Sequence, residues 1–271
     1  MRNITSIFFI IAILCAAFTG CVKNNKTGLT ITDGILSVGV EIGYPPMEYY
    51  GADGVTLRGF DIELTKALAD KLGLSVKYID TSWEGIFAGL DTEKYDIAVN
   101  ITILPERQKN YNFTKPYISS SITYVALKNY YIPFDKPELI AGRNAGYQGN
   151  TTAQYFAEKI LEQGLKFASF SYDKIINCFD DLYLKRIDLA VVDNIAAYHY
   201  LNKENSPFEI IWEGPSNEHI AICLKKGNDE LTSAIDNALD ELFKDGAIQE
   251  ISMQIFKTDM VSSAWKQKEF Q

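Results

Sequence analysis

Two hydrophobic periods alternate along this 271-residue chain, and no other feature limits its possible folds so strongly. LSVGVEI (36–42) has the continuous apolar character of a buried strand and runs into the Gly/Pro loop GYPPMEYYGADG. FDIELTKALADKLG then places Phe60, Leu64, Leu68 and Leu72 on one helical stripe and stops at Gly73. LSVKYI reads as a strand, SWEGIFAGL as a short helix capped by Ser82, and YDIAVN as another strand. The rhythm returns in the second half: AGY ends a strand, TTAQYFAEKILEQG is a helix, KFASF a strand, SYDKIINCFDDLYLKR a helix and IDLAVV a strand. Such alternation forms parallel sheets covered by helices. Having it twice predicts an α/β protein of two Rossmann-like lobes rather than one long sheet.

The last part of the chain breaks the symmetry. After FEIIW comes a further strand, HIAICL, and then two helical patterns, 228–245 and 247–256. If these complete the first lobe, that lobe comprises 29–117 and 219–256, the second comprises 121–214, and 257–271 is a tail. The chain then crosses between lobes near 117–121 and 214–219, and a double crossover makes a two-stranded hinge.

The N-terminus stands outside the pattern. Arg2 is the only charge in the first twenty residues, and IFFIIAILCAAF (7–18) is apolar but too short to span a bilayer. It ends in FTGC, which resembles a bacterial lipobox and implies cleavage before Cys21 and lipidation of its thiol. An ordinary cleaved signal peptide is the alternative. The reading adopted is a lipoprotein signal peptide at 1–20 and a lipidated polar tether at 21–28, anchoring the protein at the outer face of the cytoplasmic membrane, in a periplasm or at the cell surface. The net charge of −9 grows more negative once Arg2 leaves, which argues against nucleic acid as a partner. Cys15 leaves with the leader. Cys178 and Cys223 sit in apolar contexts and read as buried free thiols, with a disulfide as the alternative.

Catalytic signatures are missing: the sequence holds no GxSxG, HExxH, CxxC or Walker A motif, and GYQGNTT lacks the lysine of a phosphate-binding loop. His199 and His219 fall in a helix and a strand and read as structural. No cofactor and no metal are expected. Polar residues recur instead at the carboxyl ends of strands, where open α/β sheets bind ligands. Glu41 and Tyr44 follow the first strand, Thr102 and Arg107 follow Asp96–Asn100, Thr151 and Thr152 open a helix, and Asp193 follows IDLAVV. Each has an ordinary structural alternative. Thr151 with Gln154 fits a capping box, Asp193 fits an N-cap, Arg107 fits a short surface helix begun by Pro105, and Trp83 fits plain core. Taken together they complement an α-amino acid. A guanidinium, a hydroxyl and a helix N-terminus bind a carboxylate, Asp193 offers a fixed charge to an ammonium, and Tyr44 and Trp83 add aromatic faces.

The stretches GYPPMEYY, LRGFDIELTKALADKLG, SWEGIFAGL, YDIAVNITILPERQKNYNFTKPY, GYQGNTT and KRIDLAVVDN, in this order and spacing, resemble the polar amino-acid-binding proteins of bacterial ABC importers, the family-3 extracellular solute-binding proteins. The similarity covers roughly 29–256. It implies a type II periplasmic-binding-protein fold that closes on its ligand, and a monomeric receptor that delivers an amino acid to an ABC transporter permease. It further implies that Arg107 pairs with the ligand α-carboxylate, that Thr102 and Thr152 add hydroxyl donors, that Asp193 takes the α-ammonium, that Tyr44 and Trp83 flank the side chain, and that Glu41 faces that side chain. Three departures stand out. Between Asp96 and Arg107 the chain is one residue shorter than the family pattern, so Asn100 replaces the expected Gly only approximately. Leu104 sits where Thr or Ser is common, and Asn150 occupies the Gly position before Thr151. Both asparagines are counted with the ligand-facing residues.

Glu41 at a strand end predicts a basic amino acid, with cystine or glutamine next, unless it pairs with a protein cation such as Arg58. Relatives of this fold also resemble cyclohexadienyl dehydratases, in which an acid is expected three residues after the second-lobe aspartate. Ala196 holds that position, so binding is expected and catalysis is not. A ligand-sensing partner of a membrane kinase or chemoreceptor is the third reading.

Overall fold

The computed structural model describes residues 28–129 and 136–266. The leader with Cys15, Cys21 and all but the last residue of the tether lie outside them. Strand β1 (Ile35–Val40) opens the fold, and a loop bearing the hairpin β2 (Tyr49–Tyr50) and β3 (Leu57–Arg58) leads into helix α1 (Phe60–Leu72). The stripe Phe60, Leu64 and Leu68 is fully buried. The helix stops as its sequence indicates: Gly73 adopts φ 69°, its N–H donates to the Asp70 carbonyl at 3.2 Å, and Leu74 N–H reaches the Ala69 carbonyl at 2.9 Å. There follow β4 (Ser75–Asp80), a 3-10 turn at Trp83–Gly85, α2 (Ile86–Asp91), β5 (Ile97–Thr102), α3 (Pro105–Asn110), β6 (Tyr111–Phe113) and β7 (Ile118–Ser120). Ser82 does not cap this turn through its side chain as expected; its carbonyl accepts the Gly85 N–H at 3.0 Å instead.

The second half comprises β8 (Ile122–Leu127), β9 (Asn144–Gln148), α4 (Thr152–Glu162), β10 (Ala168–Tyr172), α5 (Ile175–Tyr183), β11 (Leu189–Asp193), α6 (Asn194–Leu201) and β12 (Phe208–Glu213). The expected helix over SYDKIINCFDDLYLKR is shorter, because its first residues complete β10. The chain ends with β13 (Glu218–Lys225), α7 (Asp229–Lys244), α8 (Ala247–Phe256) and a short α9 (Ser262–Lys266), which falls in the segment read as a tail.

Two sheets result. The first has the order β4-β1-β5-β13-β6, with β7 also paired to β13; the second has the order β10-β9-β11-β8-β12. In each, three neighbouring strands are parallel and a fourth joins antiparallel: β13 against β5, and β8 against β11. The chain passes between the sheets at Ser121 and again between Glu213 and Glu218. Ser121 is braced there, its Oγ donating to Glu213 at 2.8 Å, while Asn194 Nδ2 donates to the same oxygen at 3.0 Å. Each sheet is buried on both faces. α1, α7 and α8 cover one side of the first and α2 the other; α4 and α5 cover opposite sides of the second. This explains the continuous apolar runs of the central strands. Cys178 in α5 and Cys223 in β13 are both free and buried, in different lobes. His199 and His219 are placed in α6 and β13, and burial lowers the proton affinity of each, His199 to a pKa of about 4.

Candidate functional site

The carboxyl ends of β1, β5, β9 and β11 face one another across a cleft. Because β13 runs antiparallel, its first residue, Glu218, arrives at the same place. The cleft holds a cavity that opens to solvent at its mouth. Glu41, Tyr44, Trp83, Asn100, Thr102, Arg107, Thr151, Thr152 and Asp193 all line it.

Arg107 dominates one end. Pro105 starts α3, which turns the guanidinium inward, and the residue is only 8% exposed. Its Nη1 donates to the Thr102 carbonyl at 3.0 Å, and its carbon lies 5.6 Å and 5.2 Å from the Trp83 and Phe87 ring centres. Nη2 is buried without an acceptor. Burial makes the charged form less favourable and lowers its pKa, and the Tyr155 hydroxyl opposes that shift. A guanidinium fixed on one side with a free N–H on the other is ready for an anion. The amino end of α4 faces it from the second lobe, with Thr152 and Ala153 in the cavity wall. Thr151 is the N-cap: its hydroxyl accepts Gln154 N–H at 3.4 Å and donates to the Gln148 carbonyl at 2.7 Å. Gln154 Oε1 accepts the Asn150 N–H at 2.6 Å.

Acids hold the opposite wall. Asp193 caps α6 with Oδ1, which accepts Ala196 N–H at 2.9 Å, while Oδ2 accepts a hydrogen bond from the Tyr44 hydroxyl across the cleft. Burial raises its pKa, and the Tyr44 and Ala196 donors oppose the rise. Glu218 is raised by burial as well; Ser120 Oγ donates to it at 3.1 Å, and Thr152 faces it. Glu41 is 7% exposed, and both its oxygens accept Gln148 Nε2, at 2.8 and 3.0 Å. Burial lifts its pKa to about 7 against the pull of Gln148 and Lys174. Arg58 is not its partner: that side chain is exposed, beside Gly51 in the hairpin loop.

Beneath Glu41 lies a second pair of acids. Glu48 lines the cavity and is 3% exposed; Asp61, at the start of α1, is fully buried. Tyr117 OH donates to Asp61 Oδ1 at 2.7 Å, and Asn100 N–H donates to Tyr117 OH at 2.9 Å. Gly59 permits this packing. A Cβ there would lie 2.0 Å from the Met47 carbonyl oxygen, and its φ of 130° suits no other residue.

The two asparagines share a conformation. Asn100 and Asn150 both have φ 59°, the left-handed region that a glycine or asparagine tolerates, which explains their standing at glycine positions. Their backbone donors are engaged within the protein. Asn150 is not in the cavity wall; its carbonyl accepts Trp83 Nε1 at 3.0 Å and so ties the lobes together. Sequence reasoning missed Glu48, Gln148, Ser120 and Glu218. Glu48 and Gln148 carry a usable signal, since they lie within the stretches GYPPMEYY and GYQGNTT already singled out; Glu218 reaches the cleft only through the antiparallel pairing of β13.

Two α/β lobes, joined by two crossings and enclosing a cavity with a guanidinium at one end and carboxyl groups at the other, have the form of a two-lobed solute-binding protein. The chain belongs to the bacterial extracellular solute-binding proteins, family 3, whose model matches residues 36–258. It is 32% identical to the L-cystine-binding protein TcyJ of Escherichia coli strain K12 over 228 residues, covering 84% of each chain. It is 30% identical to ABC transporter arginine-binding protein 1 of the same organism, over 82% of this chain and 90% of that one. Among solved structures, an ancestral arginine-binding protein bound to arginine superposes with a TM-score of 0.77 at 32% identity, covering 82% of this chain and 98% of that one.

Proposed function

We propose that this protein captures a free amino acid outside the cytoplasmic membrane and presents it to an ABC transporter permease, acting as a lipid-anchored monomer held by Cys21. The observation that carries the reading is the pairing, in one cavity, of a buried guanidinium with a free N–H and a cross-lobe aspartate. Arg107, Thr102 and Thr152 receive the α-carboxylate together with the amino end of α4, and Asp193 receives the α-ammonium. Glu41 and Gln148 meet the side chain, and Tyr44 and Trp83 flank it. The acids around Glu41 favour a basic side chain, and relatives named for arginine and cystine support testing those two first.

Ligand contacts from both lobes stabilise the closed form by their differential affinity, and a permease that recognises this form receives loaded receptor. The residue at the dehydratase-like position favours binding over catalysis. Ala196, where a dehydratase-like acid is expected, is buried, and its N–H is held by Asp193. A thermal-shift screen of the twenty amino acids with cystine and ornithine tests the reading. At 100 times the dissociation constant a ligand adds roughly 2.7 kcal/mol of stability. A screen in which no amino acid raises the melting temperature overturns the proposal.

A further inference from the structure

Glu48 is not needed for the α-carboxylate or the α-ammonium, yet it is a nearly fully buried acid that lines the cavity. Its Oε2 and the Oδ2 of Asp61 are both buried without a protein donor. Two adjoining carboxyls in a low-dielectric site cannot both stay ionised, and one proton held between them satisfies both oxygens. The surroundings enforce this. Glu41 from the loop after β1 adds negative charge, Tyr44 and Tyr117 present neutral hydroxyls, and the Asn100 side chain at β5 donates to Glu48. Burial raises both acids, Asp61 to about 7 and Glu48 well above its ordinary value, where the Asp61 charge adds to the effect. Among the described residues lining the cavity, the cationic side chain is Arg107, which belongs to the carboxylate end. Lys174, outside the wall, donates to the Ile42 carbonyl and acts on Glu41, and Glu48 and Asp61 are left with their shared proton as counter-charge.

Resting on the amino-acid reading above, we infer that the ligand carries a second cationic nitrogen, besides its α-ammonium, that seats against Glu48 and displaces the proton shared with Asp61, so that capture releases a proton to solvent. Protonated Glu48, ionised Asp61 and a cationic ligand become two carboxylates beside one bound cation, and the proton passes to the buffer. The nitrogen belongs to a side-chain guanidinium or ammonium, or to the second α-ammonium of a double-headed amino acid; the chemistry at Glu48 is the same.

Isothermal titration in phosphate, HEPES and Tris at about pH 7.5, above the pKa of about 7 of both Asp61 and Glu41, counts the protons, because the observed heat shifts with the buffer's ionisation enthalpy in proportion to the number released. Arginine, lysine, cystine and citrulline are the probes, citrulline being the neutral isostere of arginine. The tightest of the cationic probes should release close to one proton and bind at least about tenfold more tightly than citrulline. Tight arginine or lysine identifies a side-chain cation, and tight cystine a second α-ammonium. In Glu48→Gln the amide donates to Asp61 and preserves the packing, so the melting temperature should hold while proton release vanishes and affinity for the cationic probe falls about tenfold or more. Glu41→Gln should keep most of the release, although Glu41 also titrates near 7. A wild-type proton count of zero, citrulline equal to the best cation, or loss of the release in Glu41→Gln but not in Glu48→Gln overturns the inference and leaves the receptor reading standing. Failure of every amino acid to bind overturns the receptor reading with it.

Discussion

Arg107→Ala is the sharpest perturbation of the proposed site. The wild-type guanidinium enters the binding reaction already desolvated, oriented by Thr102 and flanked by two rings, with Nη2 unpaired. Little of a carboxylate's binding energy is therefore spent on ordering the arginine, and removing it leaves the carboxylate buried opposite no cation. Truncating one member of such a pair costs about 2–5 kcal/mol, or roughly 30-fold to several-thousand-fold in affinity. Losing the contacts with Trp83 and Phe87 adds to the folding cost but not to the ligand's preference for an acid. The two effects separate when each protein is titrated by calorimetry with an amino acid and with its α-amide. Wild type should discriminate strongly against the amide, and Arg107→Ala should bind both weakly and nearly alike. Arg107→Lys should recover only part of the affinity, since a compact ammonium lacks the planar fork that holds the Thr102 carbonyl with one nitrogen and leaves another for the ligand. If Arg107→Ala remains folded and still prefers the acid by more than about tenfold, the carboxylate is bound elsewhere and the assignment of Arg107 is wrong.

Three other outcomes are expected. Ligand should compact wild type in small-angle scattering, and Asp193→Ala should show no compaction, because the α-ammonium loses its partner and Tyr44 loses its cross-lobe acceptor; unchanged compaction would restrict Asp193 to helix capping. Burial keeps Glu41 protonated up to about 7 against an ordinary 4.5, so between those values the native state binds the extra proton and Glu41 makes stability fall as pH rises, by up to about 3 kcal/mol. His199, lowered to about 4, acts oppositely below 6.5, so the measurement is the difference between wild type and Glu41→Gln: the ligand-free variant should lose less melting temperature on raising the pH through this window. Gly59→Ala should destabilise by at least about 2 kcal/mol in urea unfolding, since its Cβ meets the Met47 carbonyl at 2.0 Å in a backbone region closed to alanine.

The sequence by itself determined most of the elements and their order. Hydrophobic period and local stop signals are properties of neighbouring residues, so α1 with its Gly73 cap, the parallel core strands and the alternation that makes an α/β protein were legible, while β8, the antiparallel strand after the first crossing, was not read. The place of Arg107 just past β5 was legible too, because Pro105 and the end of that strand lie within a few positions of it, but the same spacing fitted a surface helix, and its burial came from the fold. Ser82 was misread since the 3-10 turn closes through its carbonyl, and a serine before a helix carries no mark of which oxygen is used. The tertiary structure decided everything that depends on partners distant in sequence. It brought Glu218 to the cleft by pairing β13 with β5, gave Glu41 to Gln148 instead of Arg58, bound Tyr44 to Asp193 across the lobes, and set Glu48 against Asp61. The physical reason is that burial and charge pairing are collective. A carboxylate in a sequence has its ordinary proton affinity, and only the fold that desolvates it, and chooses what stands opposite, turns it into part of a site.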